Sequence, residues 1–130
     1  MQLPYRDLRN LPGAMLMHRF LAVSMPIILP FVRLEKGEIR NKDKRELLPA
    51  GNTVSRLIPQ IVAAEPDEFR MLVEQISGWG YREIDLNMGC PFPLIVNRRK
   101  GSGILPFPDK VAALLHEMET FPEIRFSVKM

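Results

Sequence analysis

The stretch Asp85-Leu86-Asn87-Met88-Gly89-Cys90-Pro91 closes a short apolar run, residues 81–86, that reads as a β-strand. It holds the only cysteine of the chain, three residues after an asparagine, and opens into a long segment rich in Pro, Gly, Arg and Lys. A strand that ends in Asn, Gly, Cys and Pro is poorly built to go on pairing, because proline has no N–H to give the ladder. It is well built to present side chains at the mouth of a parallel α/β fold, where the C-terminal strand ends carry function.

The flanking sequence supports that architecture. Residues 57–63 (LIPQIVA) form an apolar, branched run that reads as a strand buried on both faces, as parallel strands are. A helix follows. Pro66 suits its first position, Asp67 and Glu68 favour the positive end of its dipole, and Gly80 terminates it. Phe69, Leu72, Val73, Ile76 and Trp79 form one apolar stripe on it. Residues 87–107 read as a loop. Residues 108–119 read as a second helix with Val111, Leu114, Leu115 and Met118 on one face, and 124–130 as a further strand.

Toward the N-terminus, 26–34 reads as a strand interrupted by Pro30, and 14–23 as a short helix after an irregular start. Residues 35–52 are polar with charges of both signs and read as a solvated connection rather than a nucleic-acid patch. His18 reads as a surface or capping residue, since no second ligand sits at metal-like spacing, and His116 as a surface residue on the polar side of its helix. Strands alternating with amphipathic helices imply right-handed βαβ units and a parallel sheet.

Composition narrows the class. With 130 residues, 46% hydrophobic and 25% charged, the chain is long enough for one domain with a real core. A single cysteine excludes an internal disulfide framework and suits a reducing compartment. No apolar run approaches the ~20 residues that cross a bilayer, and the start lacks a signal-peptide pattern. The expected location is the cytoplasm, with no membrane partner. The net charge of +3 is compatible with a polyanionic partner without pointing to one.

The chemistry-bearing residues gather on one side of this fold. Asn87 brings an amide, Cys90 a thiol that can give a proton as well as attack, and Lys129 a cation near the end of the next strand. Arg98, Arg99 and Lys100, with Gly101 and Gly103, form a basic, flexible segment that fits a phosphate backbone. It reads equally as a solubilising loop tip. Gln60, alone in an apolar strand, either satisfies neighbouring backbone or hydrogen-bonds a ligand in the mouth. Cys90 taken singly is better explained as a small core residue than as a catalyst. Gly101-Ser102-Gly103 is no dinucleotide fingerprint, because the spacing differs and no strand directly precedes it.

Taken together, Asn87-Met88-Gly89-Cys90-Pro91, Gly101-Ser102-Gly103, Pro59-Gln60-Ile61 and Val128-Lys129-Met130 resemble the tRNA-dihydrouridine synthases in order and spacing over about residues 56–130. The resemblance implies a (β/α)8 TIM barrel carrying FMN, followed by a helical RNA-binding domain. It implies NADPH-dependent reduction of the carbon 5–carbon 6 double bond of uridine in tRNA. On that pattern Cys90 is the general acid that protonates carbon 5. Asn87 lies beside flavin and base, Gln60 hydrogen-bonds the isoalloxazine, and Lys129 contacts its polar edge. Arg98, Arg99, Lys100, Gly101 and Gly103 lie toward the tRNA.

A complete barrel needs roughly 250 residues. The expectation for residues 1–130 is therefore a partial barrel of about four parallel strands, without the helical RNA-binding domain. The family's Ala-Pro-Met element has only Pro12-Gly13-Ala14-Met15 as a poor counterpart. Strand edges left open by an incomplete barrel predict self-association. Two other readings compete: a non-catalytic RNA-binding or interaction module, and an FMN barrel of the dihydroorotate dehydrogenase type. Gly89, where the latter carries serine, and the basic segment after it favour the tRNA enzyme.

Overall fold

Residues 27–28, 31–48 and 57–130 are described by a computed structural model. The expected helix over 14–23, His18, the Pro12–Met15 element and the turn at 50–52 lie outside the described residues. In chain order the elements are β1 (Ile27–Ile28), β2 (Leu34–Glu35), β3 (Glu38–Ile39), α1 (Asn41–Leu47), β4 (Leu57–Ile58), β5 (Gln60–Ile61) and α2 (Pro66–Gly78). They continue with β6 (Glu83–Asn87), α3 (Pro93–Val96), a 3₁₀ turn (Gly101–Ile104), α4 (Pro108–Met118) and β7 (Arg125–Lys129).

The central sheet is parallel, in the order β5-β6-β7. Its register sets Gln60 beside Asp85, Asp85 beside Ser127, and Asn87 beside Lys129. β1 and β4 pair in parallel, and a parallel bridge joins Val32 to Ile61. Pro59 divides the expected 57–63 strand into β4 and β5, yet its carbonyl still accepts the Asp85 N–H at 2.9 Å. The segment is buried throughout from Ile58 to Ala64, as a strand covered on both faces must be. α2 and α4 connect consecutive strands, so mixed α/β structure with a parallel sheet is what the alternating pattern predicted.

Side chains alternate across a strand, and here the alternation separates two environments. Ile61, Ile84 and Leu86 are fully buried together with Phe69, Leu72, Val73 and Ile76 of α2. Burial of each such side chain stabilises the fold by about 1.5–3 kcal/mol. Phe126 of β7 continues the layer, its ring 5.5 Å from that of Phe69 and 6.5 Å from that of Phe121. α2 and α4 are also joined by Arg70, whose Nε donates to the buried Glu117 Oε1 at 2.6 Å. That hydrogen bond holds the Glu117 carboxyl below its ordinary value, against the opposing effect of burial.

The structure corrects three expectations. The polar stretch 35–52 is more than a connection. Lys36 and Gly37, with φ of +54° and +81°, turn β2 into β3 in a tight hairpin, and α1 follows. Ile39 and Leu47 are core residues there, and Asp43 is buried in a two-bonded pair with the Arg40 guanidinium at 2.9 and 3.0 Å. The expected 87–107 loop contains α3 and the 3₁₀ turn. Leu115 is exposed, because the packed stripe of α4 runs through Val111, Leu114 and Met118.

Candidate active site

β6 ends where its polar residues begin to matter. On the face opposite Ile84 and Leu86, the strand carries Asp85 and Asn87, both under 5% exposed. Gln60 of β5 lies across from Asp85 and is equally buried. Its amide nitrogen donates to Asp85 Oδ2 at 2.6 Å, and its amide oxygen accepts from Asn87 Nδ2 at 3.0 Å. Ser127 of β7 donates its hydroxyl to the other carboxylate oxygen, Asp85 Oδ1, at 2.6 Å. A continuous polar chain therefore crosses all three strands of the sheet.

That chain terminates on the cysteine. Asn87 Oδ1 accepts two backbone N–H groups, from Gly89 at 3.0 Å and from Cys90 at 2.9 Å. The asparagine thus folds the chain back over itself directly after the strand, a turn that suits a cysteine at the third position after it. The Cys90 carbonyl is held in turn by the backbone N–H and the hydroxyl of Ser102, both at 3.0 Å. Cys90 is half-buried and free of disulfide. Met88 N donates to Lys129 O at 2.7 Å, tying the ends of β6 and β7 together.

The segment after Cys90 packs back on this corner. Gly101 has φ +56°, and a Cβ there would lie 2.7 Å from the Cys90 carbonyl oxygen. A Cβ on Gly103 would lie 2.6 Å from the Val96 carbonyl oxygen. Gly101 thus lets backbone approach the Cys90 carbonyl, and Gly103 lets it approach the Val96 carbonyl. Lys100 pairs with Glu68 at the start of α2, and Glu68 also accepts the Ala64 N–H at 3.1 Å. Arg98 and Arg99 are exposed, with the Arg99 guanidinium 4.7 Å from the centre of the Phe107 ring. Lys129 is exposed, and no hydrogen bond or ion pair engages its ammonium among the described residues.

Gln60, Asn87 and Cys90 are therefore brought into one hydrogen-bonded unit, with Lys129 on the strand next to Asn87. Arg98 and Arg99 stand on the loop surface, and Lys100 is turned toward α2. Asp85 and Ser127 are members of the unit that sequence reasoning passed over. The signal for Asp85 was present: in Ile84-Asp85-Leu86-Asn87 the polar residues alternate strictly with the apolar ones. Ser127 becomes visible only once the β6–β7 register is known. Among the described residues no group of three His, Cys, Asp or Glu is placed to hold a metal, and no helix is long and apolar enough to cross a membrane.

These features define a parallel α/β protein whose C-terminal strand ends carry an amide–carboxylate chain and a thiol. The chain belongs to the dihydrouridine synthase family, whose sequence profile matches residues 8–130. Among curated relatives, the probable tRNA-dihydrouridine synthase of Staphylococcus aureus (strain COL) is 36% identical over 59 residues, 45% of this chain and 18% of that protein. The probable tRNA-dihydrouridine synthase 2 of Bacillus subtilis (strain 168) is 32% identical over 59 residues, with the same shares. The matched segment thus spans less than a fifth of the length of these relatives.

Proposed function

We propose that this chain carries the uracil-reducing corner of a tRNA-dihydrouridine synthase, with FMN as cofactor, NADPH as reductant and Cys90 as general acid. The observation that supports this most directly is the double grip of Asn87 Oδ1 on the Gly89 and Cys90 N–H groups, which fixes the backbone that carries the thiol directly after the strand. Parallel strands with helices between them suit a (β/α)8 barrel, and this corner lies at the end of the strands where such barrels do chemistry.

The donor set suits the polar edge of a flavin. Gln60 Nε2 and Asn87 Nδ2 each use one hydrogen in the chain described above and keep a second, and Lys129 adds a cation on the neighbouring strand. FMN held there would supply, once reduced by NADPH, the hydride that carbon 6 of the uracil requires. Cys90 then gives its thiol proton to carbon 5. The target base must leave its stack to reach this corner. Arg98 and Arg99, exposed on the adjoining loop, offer charge for the tRNA backbone there. Lys100, paired with Glu68, contributes less.

The test uses the purified protein, NADPH and a tRNA transcript lacking the modification. Expected are flavin absorbance in the protein and dihydrouridine in the product. Cys90→Ala is expected to retain the flavin and lose turnover by about 10²–10⁴-fold, the usual contribution of a general acid. Unchanged turnover in that variant overturns the role of the thiol, and a protein that takes up no flavin overturns the cofactor.

A further inference from the structure

The polar chain through the sheet has a fixed direction, and that direction identifies a residue on which the corner depends. At one end, the Gly89 and Cys90 N–H groups can only donate, so Asn87 must face them with its oxygen. Its nitrogen then points at Gln60, which must answer with its own oxygen. The Gln60 nitrogen is left facing Asp85, so the group at 85 must accept there. Asp85 accepts a second time from Ser127. A carboxylate can accept at both oxygens and so closes this sequence of donors without a mismatch. Among the described residues, no buried side-chain polar atom is left without a partner.

We propose that Asp85 is a positioning residue. Backed by Ser127, it fixes the orientation of the Gln60 and Asn87 amides and through them the backbone that holds the Cys90 thiol. Asp85 is 3% exposed, and both of its oxygens are occupied within the sheet. It acts at two removes from the thiol and touches no reacting atom. Its catalytic meaning rests on the reading of Gln60, Asn87 and Cys90 as a flavin and uracil site, but its effect on Cys90 does not.

The experiment follows Cys90 directly, by the rate of iodoacetamide alkylation of its thiol in the purified folded protein at fixed pH. Asp85→Ala leaves Gln60 without its acceptor, loosens the Asn87 turn and is expected to raise the alkylation rate by about tenfold, the equivalent of one lost buried hydrogen bond. Asp85→Asn can still accept from Gln60 with its carbonyl while Ser127 accepts from its amide, so it is expected to restore the rate to within about twofold of wild type. A carboxylate with a merely structural role would lower the melting temperature and leave the rate at the wild-type value. That result, or an Asp85→Asn rate equal to that of Asp85→Ala, overturns the proposal. Should Asp85→Ala fail to fold, Ser127→Ala carries the test from the exposed strand: about a threefold rise supports the proposal and no change overturns it. Dihydrouridine formation by the wild-type protein is scored separately, so failure of the functional reading and failure of the positioning role are distinguishable.

Discussion

The two faces of the β5-β6-β7 sheet are built from neighbouring residues of the same strands and obey different rules. One face, with Ile61, Ile84 and Leu86 against Phe69 and Leu72, is a packed apolar layer. The other, with Gln60, Asp85, Asn87 and Ser127, is a directed chain of hydrogen bonds. Packing depends on volume, so the first face tolerates exchanges that keep size and apolarity. Hydrogen bonding depends on which atom donates, so on the second face a substitution of equal size can still fail. Stability is concentrated on the first face and the placement of Cys90 on the second.

Substitutions on the two faces separate these contributions. Leu86→Ala opens a cavity between β6 and α2 and is expected to lower stability by about 2–5 kcal/mol, read as a reduced urea midpoint, with the alkylation rate of Cys90 in the folded protein unchanged. Gly101→Ala forces a Cβ against the Cys90 carbonyl at a positive φ and is expected to cost about 1–3 kcal/mol. Unlike Leu86→Ala, it should alter Cys90 reactivity in the same experiment. Gln60→Leu keeps bulk but leaves Asp85 and Asn87 each short of a partner, for about 1–3 kcal/mol by urea unfolding. If it proves neutral, the polar face follows the rules of the apolar one.

The smallest of these effects concerns the pair that ties the helices outside the sheet. Because Arg70 lowers the carboxyl value of Glu117 in the folded state, the pair stabilises the protein above the unfolded-state value of about 4.3. That contribution is lost as the pH falls through the lower folded-state value. Glu117→Gln removes it. The drop in melting temperature from pH 7 to pH 3 is therefore expected to be smaller in the variant than in the wild type.

Much of this organisation was legible in the residues. Phe69, Leu72, Val73 and Ile76 announce a buried helix face at a spacing that water-facing residues would not keep, and Pro66 and Gly80 mark its ends. The hairpin over Leu34–Ile39 was not legible. Its signal is a Lys36-Gly37 turn inside a charged stretch, and the charges hide the two residues, Ile39 and Leu47, that anchor it to the core. Gln60, Asn87 and Cys90 were each visible as unusual residues in apolar or strand-end settings. Lys100 shows the limit in the other direction: its place in a run of cations conceals a partner in Glu68, 32 residues away.

By itself, the sequence determined the alternation of strands and helices, the strand end that presents Cys90, and membership of a family defined by residues in fixed order. These follow from local chemistry, because periodicity, proline and glycine act over a few residues. Only the tertiary structure decided that Gln60, Asp85, Asn87 and Ser127 form one chain. Register between parallel strands is set by helices and packing far from those residues, and a carboxylate reveals its role only when its donors are seen to meet it.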